Sequence, residues 1–122
     1  MDKILETLKN RHKQVDNLMA LTKEMEKSIV ANDMDSLGAI LSMRKKSMDN
    51  IDGLNLEIRD AIEGLEQEDK DKVRQILDVE SESTIFSNPL EANIYETNKA
   101  TLSLVQKVIA LDKEINEKMQ GG

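Results

Sequence analysis

Cysteine and tryptophan are absent from this chain, and proline, phenylalanine, tyrosine and histidine each occur once in 122 residues. Without cysteine there can be no disulfide framework, no thiol nucleophile and no cysteine-ligated zinc. With aromatics at 2%, any core must be aliphatic, built from Leu, Ile, Val and the seven Met. No apolar run approaches the ~20 residues that span a bilayer. From Met1 to Gln14 charged and apolar residues alternate, unlike the continuous apolar run of a signal peptide. A net charge of −7 argues against nucleic acid, whose phosphates call for a basic surface. The expectation is a soluble, cytoplasmic protein with a single helical domain over residues 1–122.

What is present is helix-forming composition, with 34% charged residues and little Gly or Pro. Apolar periodicity predicts an all-α fold, an antiparallel bundle of three long helices plus one short helix, over about 2–31, 34–65, 69–80 and 89–119. In the first helix Ile4, Leu8, Val15, Leu18, Met25 and Ile29 recur at steps of four and three, with Arg11 and Thr22 in the intervening seam positions. That helix should be roughly 40 Å long. The segment Asn32 to Ser36 supplies side chains that cap a new helix. The second helix should carry Leu37, Ile40, Leu41, Met48, Ile51, Leu54, Ile58, Ile62 and Leu65 on its inner face, with Arg44 in the seam and Gly53 marking a crossing or a bend. Met19, Met25, Met34, Met43 and Met48 are expected as gap-fillers in the first hairpin or at its ends.

Glu66 to Lys72 reads as a charged break before a short amphipathic helix around Val73, Ile76 and Leu77. Ser81 to Asn88 reads as a loop held by Ile85 and Phe86. Between Glu66 and Pro89 seven acids face three bases, more than half the excess charge of the chain. The strongest local signal opens the fourth helix, where Asn88 can cap, Pro89 suits the first position and Glu91 can reach back to the free backbone N–H groups.

Chemistry is scarce. His12 is the only imidazole and has no Glu three positions away, which excludes the Glu-x-x-His pairs of di-iron bundles and any two-histidine site. Glu68, Asp69 and Asp71 lack the turn Gly and terminal Glu of a calcium loop. There is no Gly-rich phosphate loop, and Arg44, Lys45 and Lys46 point in different directions on a helix. These residues imply no enzyme, metal or cofactor. The surplus is apolar surface on the fourth helix: either both edges of the stripe are buried in a three- or four-helix core, or one edge (Leu102, Val105, Ile109) serves the bundle and the other (Leu104, Val108, Leu111, Ile115) is left for another chain. Asn98, Thr101 and Asp112 interrupt this arc, either to fix register or to face a partner.

The stretch Leu18 to Leu54, LMALTKEMEKSIVANDMDSLGAILSMRKKSMDNIDGL, resembles the first hairpin of bacterial flagellar export chaperones of the FlgN and FliT type. The turn Ala31, Asp33, Leu37 and the run Arg44, Met48, Ile51, Leu54 carry the resemblance. Asn98-Lys-Ala-Thr-Leu-Ser-Leu-Val is similar to the Asn-containing C-terminal helix of the FlgN branch, whereas the short chain ending at Gly122 is closer to the FliT branch, so the branch stays open. The resemblance implies a cytosolic chaperone for late export substrates, such as hook-associated or filament-cap proteins, with an export-apparatus component as a further partner. It puts the partner-binding surface on Leu102, Leu104, Val105, Val108, Leu111 and Ile115. The alternative is a structural or adaptor protein that forms a homo-oligomer, such as a homodimer, through the same stripe.

Overall fold

The computed structural model describes residues 1–78 and 86–121. They form four helices, α1 (Asp2–Val30), α2 (Met34–Glu63), α3 (Gln67–Leu77) and α4 (Pro89–Gly121), with no strand among the described residues. The expected third helix beyond Asp78, and the expected loop as far as its anchor Ile85, lie outside the described residues. Phe86, the other anchor, stacks at a tilt on Tyr95 with ring centroids 5.2 Å apart.

α1 is the spine. Its stripe is buried as its periodicity demands, with Ile4, Leu8 and Val15 at most 1% exposed and Leu18 and Met25 also buried. α2 returns antiparallel along one flank, since Arg11 bonds Asn55 while Ser47 Oγ donates to the Gln14 carbonyl. α4 runs parallel to α1 along the other flank, because Arg11, His12 and Glu26 meet Asn98, Thr101 and Lys118 in rising order. All four helices converge at one end on Ile4, Leu8, Ile58, Val73, Ile76 and Ile94. A smaller cluster of Met25, Ile40 and Ile115 closes the other. Buried hydroxyls are satisfied locally, Thr7, Thr22 and Thr101 each donating to the carbonyl four residues back.

The joints follow from local chemistry. At the end of α1, Asn32 takes a left-handed φ of 55° while its N–H reaches the Ile29 carbonyl and that of Asp33 reaches Ser28. These are the two bonds of a Schellman stop. Asp33 then caps α2, accepting from the backbone N–H and the hydroxyl of Ser36 at 3.1 and 2.6 Å. α4 opens with the reciprocal cap its sequence promises: Glu91 N–H donates to Asn88 Oδ1, and the Glu91 carboxylate accepts from the Ser87 N–H, both at 3.0 Å. Lys72 of α3 stands 3.6 Å from this buried carboxylate.

Several expectations need correction. The charged segment after α2 is not a break: α3 begins at Gln67, and Glu68 and Asp69 in its first turn favour the positive end of the helix dipole. Leu41 and Met48 are not on the inner face of α2 but 46% and 41% exposed, because α2 meets only α1 at that level and they point to the side of that contact. Of the methionines assigned to the first hairpin, only Met25 is fully buried, and Met34, Met43 and Met48 are exposed. Gly53 is no crossing, since a Cβ there would meet nothing within 4 Å.

Two predictions follow from these joints and from that glycine. Gly53→Ala removes the helix penalty of glycine with no steric cost, so it should stabilise the fold by about 1 kcal/mol, read as a rise in thermal midpoint; an unchanged or lower midpoint contradicts it. The carboxyl pKa values of Asp33 and Glu63 lie below the ordinary range, Asp33 through the Ser36 hydrogen bonds and Glu63 through Lys70 and then Arg74. Groups depressed in the folded state stabilise it fully above their unfolded pKa and lose that contribution as pH falls through the folded one. Both joints should therefore loosen below about pH 4, and Glu63→Gln should flatten the acid limb of stability measured as the thermal midpoint against pH.

Candidate functional site

The middle of the bundle is left open. No Cα atom of α2 comes within 8 Å of one in α4, although both flank α1. Between them runs a trench of about 330 Å³ with Val15 and Leu18 on its floor. Met48, Ile51 and Asp52 form the α2 wall, and Val105, Val108 and Ile109 the α4 wall. Ile109 is 62% exposed. Leu41 and Leu102 lie one heptad before Met48 and Ile109 and so extend the same faces.

Two arginines cross this gap. Arg44 reaches from α2 to α4, where its Nη2 donates to both Asp112 carboxylate oxygens at 2.9 and 2.8 Å while Nη1 lies 3.3 Å from the Met25 sulfur. Arg11 rises from α1 between the same two helices, donating to Asn55 Oδ1 at 3.1 Å and to Asn98 Oδ1. Asn98 in turn donates to the Leu77 carbonyl at the end of α3, at 3.3 Å. Burial pulls the Arg11 pKa below its ordinary value, since only neutral amides answer its charge. Both arginines keep a buried Nε–H without an acceptor among the described residues, each at a cost of about 1–3 kcal/mol. Arg11 marks one end of the trench and Arg44 the other. Arg11 and Met25, against which Arg44 rests, are fourteen residues apart on α1, about 21 Å.

The six residues expected to bind a partner divide three ways. Val108 and Ile115 are 5% and 3% exposed, buried against α1. Leu104 and Leu111 are half-buried on the opposite side of α4, where Leu111 lines a cleft with Met19 and Lys107 and also packs on the second core cluster. Leu102 and Val105 are half-buried and belong to the trench face. The two edges of the α4 stripe are thus exchanged relative to expectation: the edge containing Ile109 is open, and the one containing Val108 and Ile115 supplies the core. The cause is α1, which meets the centre of the stripe and leaves its α2-facing side without a neighbour.

The polar interruptions of α4 fix register. Asn98 binds Arg11, Thr101 stands 3.0 Å from the His12 ring Nδ1, and Asp112 binds Arg44. Among the described residues no group of three His, Asp or Glu converges as a metal set. No described helix is long and apolar enough to cross a membrane. No protein-family model, curated protein or solved structure matches the chain. The trench did leave a trace in the sequence, in the two arginines at seam positions and in the wide apolar arc of α2, from which a single contact with α1 leaves Leu41 and Met48 exposed.

Because the Arg44 side chain is only 12% exposed, Asp112→Ala strands a largely buried cation. It should cost about 1.5–3 kcal/mol in denaturant unfolding. The double substitution Arg44→Met with Asp112→Leu should recover most of that loss, and a neutral Asp112→Ala would contradict the bridging role.

Proposed function

We propose that this protein is an export chaperone of the flagellar type, which holds an amphipathic helix of a late export substrate, a hook-associated or filament-cap protein, in the trench between α2 and α4. The observation that carries the reading is an apolar trench flanked by two helices whose backbones stay apart and which meet only through arginine side chains. A bundle helix with its own neighbour has no reason to leave Met48 and Ile109 in water. A foreign amphipathic helix laid on Val15 and Leu18 would cover both, in the helix-in-groove mode that reads anchors at i, i+3, i+4 and i+7. Segments of this kind aggregate when exposed, so covering one in the cytoplasm before export is useful work, and an excess of negative charge helps to keep the complex in solution. The hairpin resemblance over Leu18 to Leu54 supports the flagellar substrate class.

The test is binding of purified hook-associated and filament-cap proteins to the wild type and to Met48→Asp and Ile109→Asp, exposed positions where a charge leaves the helices intact. The expected result is binding by the wild type and a loss of at least about tenfold in affinity for each variant, with unchanged circular dichroism. Lys107→Asp, on the rear of α4, should bind as the wild type does. Retention that survives both trench substitutions would overturn the site. A stable wild-type dimer by light scattering, abolished by Ile109→Asp, would favour the homo-oligomer.

A further inference from the structure

His12 is the only imidazole of the chain, and the trench makes no use of it. It lies half-buried in a second opening, a cleft of about 520 Å³ between α1 and α4. Lys9, His12 and Lys13 line the α1 side of this cleft, and Glu96, Thr97 and Ala100 the α4 side. None of these six residues lines the trench.

The hydrogen bonds around the ring decide which nitrogen is free. The Thr101 hydroxyl has a single proton, and that proton goes to the Thr97 carbonyl at 2.9 Å. In its 3.0 Å contact with His12, Thr101 Oγ1 therefore accepts, so the proton of the neutral ring sits on Nδ1 and the free lone pair on Nε2. Nε2 makes no hydrogen bond among the described residues, yet it is not buried, so solvent reaches it. Lys9, one turn before His12, and Lys13, directly after it, are exposed, and neither has a carboxylate within ion-pairing distance among the described residues. Glu96 is the one acid of the lining, and Asp16, a turn further along α1, lies outside it. In a chain of net charge −7, the cleft thus sets an open nucleophilic nitrogen beside two free ammonium groups and a single carboxylate.

We infer that His12 is a phosphoryl acceptor, which takes a phosphoryl group on Nε2 from an acyl phosphate while Lys9 and Lys13 hold the phosphoryl oxygens. The Nε2 lone pair forms the N–P bond as the bond between phosphorus and the acyl oxygen breaks, and the carboxylate leaves with that electron pair. No base is needed, because the ring proton stays on Nδ1, where Thr101 accepts its hydrogen bond, and the charge gained by the ring is answered by the phosphoryl oxygens. The two ammonium groups stabilise the negative charge on those oxygens. An acyl phosphate suits this cleft because its leaving group is already activated, whereas the sequence has no Gly-rich loop to hold a nucleoside triphosphate. The inference uses no residue of the trench and stands apart from the chaperone reading.

Incubation of the full chain with acetyl phosphate, followed by phosphorus NMR, tests the inference. The wild type should gain an acid-labile, alkali-stable phosphate as the Nε2-linked isomer. His12→Gln, whose amide can still donate to Thr101, should gain none. The double variant Lys9→Gln with Lys13→Gln should be labelled about tenfold more slowly. Thr101→Val frees the ring to turn, so the Nδ1-linked isomer should appear beside the Nε2-linked one, a change that lost packing alone does not produce. An unlabelled wild type, label that persists in His12→Gln, or labelling that is as fast in the urea-unfolded chain as in the folded one overturns the inference. So does an unchanged rate in the lysine variant.

Discussion

Two guanidinium groups hold α2 and α4 apart. Where a leucine at a seam position would let the flanking helices close over α1, Arg11 and Arg44 each place a long stem and a charged head that must reach polar partners. Arg11 finds amides on both flanking helices, and Arg44 finds a carboxylate on the far one. The spacing needed for those bonds is wider than apolar packing would choose. The trench between α2 and α4 follows from that spacing, and so does the division of the core into two clusters, one at each end of the bundle.

This arrangement is costly, since an arginine with a buried, unanswered Nε–H is not the cheapest way to fill a seam. The ends of the bundle offset the cost. At one end α3 lays Val73 and Ile76, both fully buried, over Ile4, Leu8, Ile58 and Ile94, so that four helices share one apolar centre. There the sealing depends on well-built joints: the Asn88–Glu91 cap sets the start of α4, and Lys72 ties α3 to the same buried carboxylate. A closed end and an open middle suit the helix binding proposed for this chain. The first holds the walls in place and the second leaves apolar area to be covered by another chain.

Much of this can be followed back to particular residues. The stripe of α1, the Asp33 and Asn88 caps and the Pro89 start are local, each set by side chains within a few positions of one another, and all appear where the periodicity puts them. Arg11, Thr22 and Arg44 stand out in sequence as polar residues at apolar seam positions. The side of α4 that stays open does not, because Leu102, Val105, Val108, Ile109 and Leu111 have similar hydropathy and spread over half the helix circumference. Which of them is buried depends on where α1 sits, and that is settled by contacts some ninety residues apart in the chain, such as His12 with Thr101. For the same reason Leu41 and Met48 read as inner-face residues but lie on the trench side.

By itself, then, the sequence determined the helical class, the approximate bounds of the elements and their caps, since these depend on composition and on neighbours within a turn or two. Only the tertiary structure decided which face of α4 is free and that Arg11 and Arg44 span a gap instead of lying on a solvated surface. Those outcomes depend on the register of three long helices against one another. A helical repeat specifies a residue's angle about its own axis, and the position of the neighbouring axis comes from packing.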